Sequence, residues 1–271
     1  MIGRDMKTML FVPASRPERI PKAIASGAGA VIVDLEDAVP ADAKDSAREA
    51  LAAFLTGHEG APIYVRINAR GTAGFDADLA LCTRHAKVIG IVLPKAESAS
   101  DINAVARSGK TIIPLIESAR GLVALNEIAA APGVERLSYG GLDLSDNLGI
   151  EGNTEGAETV MNQCRYQLLV SSRAAGLLAP IDTVFPAFDD EEAVLGRARW
   201  ARNMGFAGML CIHPKQIAPV QAGFSTDPEQ VEWAHKVMVA ARSGGAAFKV
   251  EGQMVDAPVI AMARTIIERA G

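Results

Sequence analysis

One pattern limits what this chain can fold into more than any other. Short β-branched apolar runs alternate with Ala-rich amphipathic stretches through most of its length. Continuous apolar runs of this kind suit strands buried on both faces, and the stretches between them suit the helices of parallel crossovers. Strands are expected at Thr8–Val12, Ala30–Asp34, Ile63–Ile67, Val88–Leu93, Thr111–Ile116, Arg136–Tyr139, Ala179–Val184 and Gly208–Ile212. Helices are expected at Pro17–Ser26, Asp42–Leu55, Ala99–Arg107, Leu122–Ala130, Ala157–Ala175 and Asp190–Met204. Eight such strands in 271 residues fit a (β/α)8 barrel, which usually needs about 250. A doubly wound open sheet is the alternative. The chain holds no GxGxxG after a strand and no Walker-type loop, so the nucleotide-binding forms of that sheet have little support.

The barrel is expected to occupy residues 1–225, with 226–271 as a helical extension placed to cap it or to pack on a neighbouring subunit. Arg242–Ala247, RSGGAA, is the nearest thing to a linker, and Ala257–Ala270 reads as a last helix. A net charge of −5 argues against a nucleic-acid surface, and 5% aromatic residues argue against base-stacking platforms. The N-terminus MIGRDMKTML has no apolar core for a signal peptide, and no apolar run approaches the roughly 18 residues of a membrane helix. Cys82, Cys164 and Cys211 show no pairing pattern, as expected of reduced thiols in a cytoplasmic protein.

Polar residues recur at the expected carboxyl end of each strand: Pro13/Ser15, Asp34–Asp37, Arg66/Asn68, Pro94/Lys95, Glu117/Ser118, Gly140–Asp143, Asp182 and His213. Their spacing of about 20 to 40 residues matches one βα unit, so in a barrel they converge on one mouth. Within VIVDLEDAV, Asp34, Glu36 and Asp37 repel one another unless a cation or hydrogen bonds offset them, and a solvated capping cluster is the plainer reading. Glu117 and Asp143 stand one βα unit apart, at the ends of adjacent strands whose axes lie about 4.8 Å apart. Carboxylates placed so can share a cation, and oxygen-only ligation favours Mg2+ or Mn2+ over zinc. The alternative is that they pair with Arg66 or Lys95. Arg66 itself can neutralise the acids or bind a carboxylate or enolate oxygen. Gly140 and Gly141 would let backbone N–H groups approach an anionic ligand. His213, before a proline, is either a base or a turn residue.

These residues sit in motifs that resemble the citrate lyase β-subunit-like (HpcH/HpaI aldolase) superfamily along nearly the whole chain. The motifs are LFVPASRPER at Leu10–Arg19, VDLEDAV at Val33–Val39, VRINARG at Val65–Gly71 and LPKAES at Leu93–Ser98. PLIESARG at Pro114–Gly121, GGLDLSDNLG at Gly140–Gly149, CIHPKQI at Cys211–Ile217 and EGQMVDAPV at Glu251–Val259 follow in order. The resemblance implies a Mg2+-dependent lyase that cleaves citryl, malyl or citramalyl thioesters to an acetyl thioester and an oxo acid. It implies Glu117 and Asp143 as metal ligands and Arg66 as the group that meets the enolate oxygen. Glu36 and Asp37 become the acidic pair beside it. Asp256 becomes the acid/base, offered by a neighbouring subunit within a trimer. Gly141 would line the substrate site, while Arg16, Arg19 and Lys95 would meet coenzyme A phosphates at the rim. Other readings stay open: a citrate lyase β subunit acting on an acyl carrier protein, a free-acid metal aldolase, and a non-catalytic coenzyme A-binding subunit.

Overall fold

The computed structural model describes residues 6–152, 154–242 and 247–270. The first five residues of MIGRDMKTML, the stretch in which a signal peptide would lie, and most of the expected linker (243–246) lie outside the described residues. The chain divides into two compact units, Met1–Gly223 and Phe224–Gly271.

The larger unit is built on eight parallel strands: β1 Thr8–Pro13, β2 Ala30–Asp34, β3 Ile63–Arg66, β4 Val88–Leu93, β5 Thr111–Ile116, β6 Ser138–Tyr139, β7 Ile181–Asp182 and β8 Gly208–Cys211. Their hydrogen-bonded order, β6-β5-β4-β3-β2-β1-β8-β7, is that of a (β/α)8 barrel in which β6 and β7 flank the seam. No ladder joins those two strands, yet the seam is laced. Ile181 N–H donates to the Leu137 carbonyl at 3.0 Å, and Ser138 Oγ donates to the Ile181 carbonyl at 2.9 Å. Helices follow the strands, the longest being Glu155–Ala174 after β6.

Side chains alternate between the barrel interior and the helix layer. Met9, Ile32, Tyr64, Val92, Ile113, Leu115, Ile181 and Leu210 form one buried cluster inside the barrel. Gly90 sits in register with Tyr64, and a methyl there would lie 2.3 Å from the Tyr64 ring, so the missing side chain makes room for the aromatic one. Two residues further along, the same inward phase carries Asp34, Arg66, Glu117 and Thr183. The sequence thus turns the barrel interior from apolar to charged in a single step.

The smaller unit holds helices Pro228–Ala241 and Ala257–Ala270 and an antiparallel hairpin, β9 Phe248–Val250 with β10 Gln253–Val255. Its core gathers Ala234, Val237, Val250, Val255 and Ala263. Among the described residues, no helix is long and apolar enough to cross a membrane.

Candidate active site

The turn after β2 is locked by its own first acid. Asp34 Oδ1 accepts the Glu36 N–H at 2.9 Å and Oδ2 accepts the Ala38 N–H at 3.1 Å, in the manner of an Asx turn. Lys44, from the following helix, donates its ammonium to the carbonyls of Leu35 (2.9 Å) and Glu36 (2.7 Å). Asp34 is 1% exposed and Glu36 5%, so this is not a solvated cluster. Only Asp37 stands open to solvent.

Arg66 ends β3 in register with Asp34. Its Nε and Nη2 reach the two oxygens of Asp34 at 2.8 and 2.6 Å, a bidentate pair. Nη1 lies 3.0 Å from Glu36 Oε2 and 3.5 Å from Asp37 Oδ2, and the guanidinium rests over the Phe11 ring at 4.9 Å. Burial works against its charge, but the Asp34 bonds and the neighbouring acids outweigh that and push its pKa above the usual guanidinium value. Burial also raises the Glu36 carboxyl, with Arg66 and Lys95 pulling it back.

Glu117 follows β5, and its Oε2 accepts the Lys95 backbone N–H at 2.8 Å. Its carboxyl is raised to about 7, first by burial and then by the charges of Glu36 and Asp143, against the Lys95 bond and Arg66. Asp143 lies in the first turn of the helix Gly141–Leu148, which starts directly after β6. A methyl on Gly140 would lie 2.4 Å from Glu117 Oε1, so the missing Cβ is what lets this carboxylate lie across the end of β6. Arg66 and Lys95 spend their charges on Asp34, Glu36 and Asp37, which leaves Glu117 and Asp143 as neighbouring carboxylates. Among the described residues no group of three His, Cys, Asp or Glu side chains is arranged around a metal position. Two carboxylates are what Mg2+ usually takes from a protein, the other positions going to water and substrate. A buried acid that resists ionisation beside a second acid is the environment a divalent cation relieves. The residues fit that ion.

The other expected residues have surroundings of their own. Asp182 is not in the mouth: Ile181 points into the barrel, so alternation turns Asp182 outward, where it accepts from Tyr139 Oη at 2.6 Å and Arg165 Nε at 3.1 Å. Thr183 takes the inward position that sequence reasoning gave to Asp182. The Gly141 N–H, expected to face an anion, donates to Thr183 Oγ1 at 2.8 Å, and the Gly140 N–H donates to the Ile116 carbonyl. His213 is a turn residue: its Nδ1 accepts the Lys215 N–H at 3.2 Å and its ring stacks on Phe188. Lys95, expected at the rim, places its half-exposed ammonium on Glu36. Arg16 and Arg19 are exposed, with Arg16 paired to Glu18 at 2.7 Å. Asp256 lies in the smaller unit, where its Oδ1 caps the last helix by accepting the Val259 N–H at 3.3 Å. Asp34, central to the Arg66 geometry, was legible only as one acid of three. Its position two residues before Glu36 was the available sign of an Asx turn.

Paired carboxylates and a buried arginine at the strand ends of a parallel barrel are parts that metal-assisted carbon–carbon lyase chemistry can use. The chain belongs to the HpcH/HpaI aldolase/citrate lyase family, whose model matches residues 7–214. It is 41% identical to a citrate lyase subunit beta-like protein of Mycobacterium tuberculosis, over 97% of this chain and 94% of that one. It is 32% identical to a (3S)-malyl-CoA thioesterase of Cereibacter sphaeroides, over 99% and 95% of the two chains. A crystal structure of the protein CitE from M. tuberculosis in complex with magnesium, acetoacetate and coenzyme A superposes with a TM-score of 0.87. That chain is 39% identical, with 98% of each covered.

Proposed function

We propose that this lyase cleaves a β-hydroxyacyl-CoA thioester of the citramalyl, malyl or citryl type to acetyl-CoA and an oxo acid, with Mg2+ as cofactor. The observation that carries the reading is the Glu117–Asp143 pair beside Arg66 in one barrel mouth. The relative with magnesium, acetoacetate and coenzyme A bound, and the malyl-CoA thioesterase, support thioester chemistry on this scaffold.

Glu117 and Asp143 would hold Mg2+, or Mn2+, which when bound acts as a Lewis acid toward the oxygens of the oxo-acid half. Arg66 commits three of its five N–H groups to Asp34 and Glu36, and the remainder would meet the thioester oxygen as charge grows there. A donor fixed in advance at such a place is worth about 3–4 kcal/mol. Glu36 and Asp37 keep Nη1 in position. Breaking the carbon–carbon bond removes the hydroxyl proton and leaves an enolate whose carbon must gain one. Asp256 is the acid/base of this reading, offered by a neighbouring subunit of a homotrimer through the 226–271 segment. Arg16 and Arg19 would meet coenzyme A phosphates at the rim. The three buried free cysteines suit a cytoplasmic protein.

The test is release of the cleaved thioester, acetyl-CoA from citramalyl-, malyl-, citryl- and hydroxymethylglutaryl-CoA and propionyl-CoA from β-methylmalyl-CoA, with Mg2+ and with chelator. Cleavage of one of these should require Mg2+ and vanish in Glu117→Ala, while Asp256→Ala should keep Mg2+ binding and lose turnover. Metal-independent cleavage, or an active Glu117→Ala, sinks the reading. Cleavage only of carrier-protein thioesters moves the substrate from coenzyme A to an acyl carrier protein.

A further inference from the structure

Lys95 has the least ordinary backbone in the mouth. It follows Leu93–Pro94 at the end of β4 with φ of 50°, in the left-handed region that a lysine seldom occupies. A residue held there is strained and persists only where its surroundings demand it. Two sets of contacts make that demand. The Lys95 backbone N–H donates to Oε2 of Glu117 at 2.8 Å, and the Lys95 ammonium binds Oε1 of Glu36 and lies 3.8 Å from Oδ1 of Asp37.

The opposite oxygens of those two acids belong to Arg66: Nη1 lies 3.0 Å from Glu36 Oε2 and 3.5 Å from Asp37 Oδ2. Two cations and two carboxylates therefore form a closed ring of alternating charge, each acid bridging both cations. The ring is lopsided. Arg66 is 12% exposed and anchored from behind by Asp34, whereas the Lys95 and Asp37 side chains are 46% and 53% exposed. The half-exposed ammonium adds little to packing, so folding alone does not account for the left-handed turn.

We propose that Lys95 is a positioning residue joining the two halves of the active site: its backbone aims the Glu117 carboxylate, and its ammonium holds Glu36 and Asp37 so that Arg66 stays aimed. This rests on the lyase reading for its effect on turnover, but not for the ring itself. It also replaces the role expected for Lys95 as a coenzyme A contact. A phosphate contact fixes KM; a positioning residue fixes kcat.

The experiment uses Lys95→Met, which keeps the stem and the N–H, and Lys95→Gly, which keeps the N–H and accepts the left-handed backbone without strain. Lys95→Met should lower kcat at least tenfold with KM for the thioester changed less than threefold, and with Mg2+ affinity by calorimetry unchanged or tighter. Ethylammonium ion should restore part of the lost kcat in Lys95→Gly. In parallel, Lys95→Met and Glu36→Gln are combined in a double-mutant cycle of urea unfolding, which needs no substrate. The two should be coupled by at least about threefold in the unfolding constant, as contacting residues are. Raised KM with kcat kept returns Lys95 to the coenzyme A site and overturns the proposal. So does additive unfolding, or a kcat loss that no amine rescues. If the wild type cleaves no thioester, the lyase reading falls, and the unfolding cycle alone decides whether Lys95 holds Glu36.

Discussion

At Gly140 the backbone angles, φ −93° and ψ 95°, are open to any residue, so an alanine there would strain nothing locally. Its methyl would instead meet Glu117, at 2.4 Å from Oε1 and 2.7 Å from Cγ. Gly140→Ala should therefore act on one carboxylate. We expect Mg2+ affinity to fall at least tenfold by calorimetry, with about 1–3 kcal/mol of stability lost to overpacking. Unchanged affinity would mean that Glu117 does not hold the ion. Glu117 stood out in the sequence as a lone acid directly after the apolar run of β5, and Asp143 stood out by its place one βα unit further on, just behind the Gly140–Gly141 pair. Asp182 looked the same on paper and proved different. Its strand has two residues, too short for the sequence to show which phase faces inward. Asp37 and Glu36 were equally ambiguous as a solvated or buried pair, and what decides between those is Asp34, whose Asx turn tucks Glu36 under Arg66.

The seam between β6 and β7 is where elements, not single residues, set the stability of the mouth. Arg165, from the helix Glu155–Ala174, reaches back to Asp182 at 3.1 Å and to Glu158 and Asn162 at 3.1 and 2.8 Å. Asp182 is fully buried, and its Oδ2 has no hydrogen-bond partner among the described residues. Removing one partner of a buried pair leaves an uncompensated charge, which costs about 3–5 kcal/mol. Arg165→Met should lose about that much in urea unfolding; a loss below 1 kcal/mol would show that the helix does not hold the seam. The strands themselves were readable, six of eight to within a residue at either end, because buried parallel strands announce themselves as β-branched runs. The helix Phe75–Arg84 was not. Its buried face carries Phe75, Leu81 and Cys82 but also Asp78, which binds Asn68 and Arg48, and a buried acid breaks the apolar rhythm. The helix Gly141–Leu148 begins on a glycine pair and buries only Leu144, so its sequence shows no helical apolar face. The β9–β10 hairpin hid in three-residue strands, although Glu251 and Gly252, both at positive φ, mark its turn.

Across the whole barrel the charges are unbalanced in one place. Asp34, Glu36, Asp37, Glu117 and Asp143 converge on a mouth where Arg66 and Lys95 are the cations that pair with these carboxylates, on a chain whose net charge is −5. Such an excess destabilises the fold unless a cation is taken up, so metal binding and stability should move together. At one hundred times its dissociation constant, an ion that binds only the folded state adds about 2.7 kcal/mol. For a chain of this size that is about 5–8 °C in the barrel's melting temperature. Mg2+ should give such a shift in the wild type and little in Glu117→Ala. The pH dependence fixes the sign. The Glu117 carboxyl is raised from 4.5 to about 7, so the metal-free fold takes up a proton that the unfolded chain takes only in stronger acid. The metal-free protein therefore gains stability as pH falls through about 7 and has the full gain below 4.5, where both states are protonated. The Mg2+ complex needs the carboxylate and goes the other way: its affinity should be flat above about 7 and weaken by up to tenfold per pH unit beneath it, as one proton is displaced per ion. Calorimetric titration between pH 6 and pH 8.5 reads this directly. An affinity independent of pH across that range would place the ion on groups other than Glu117.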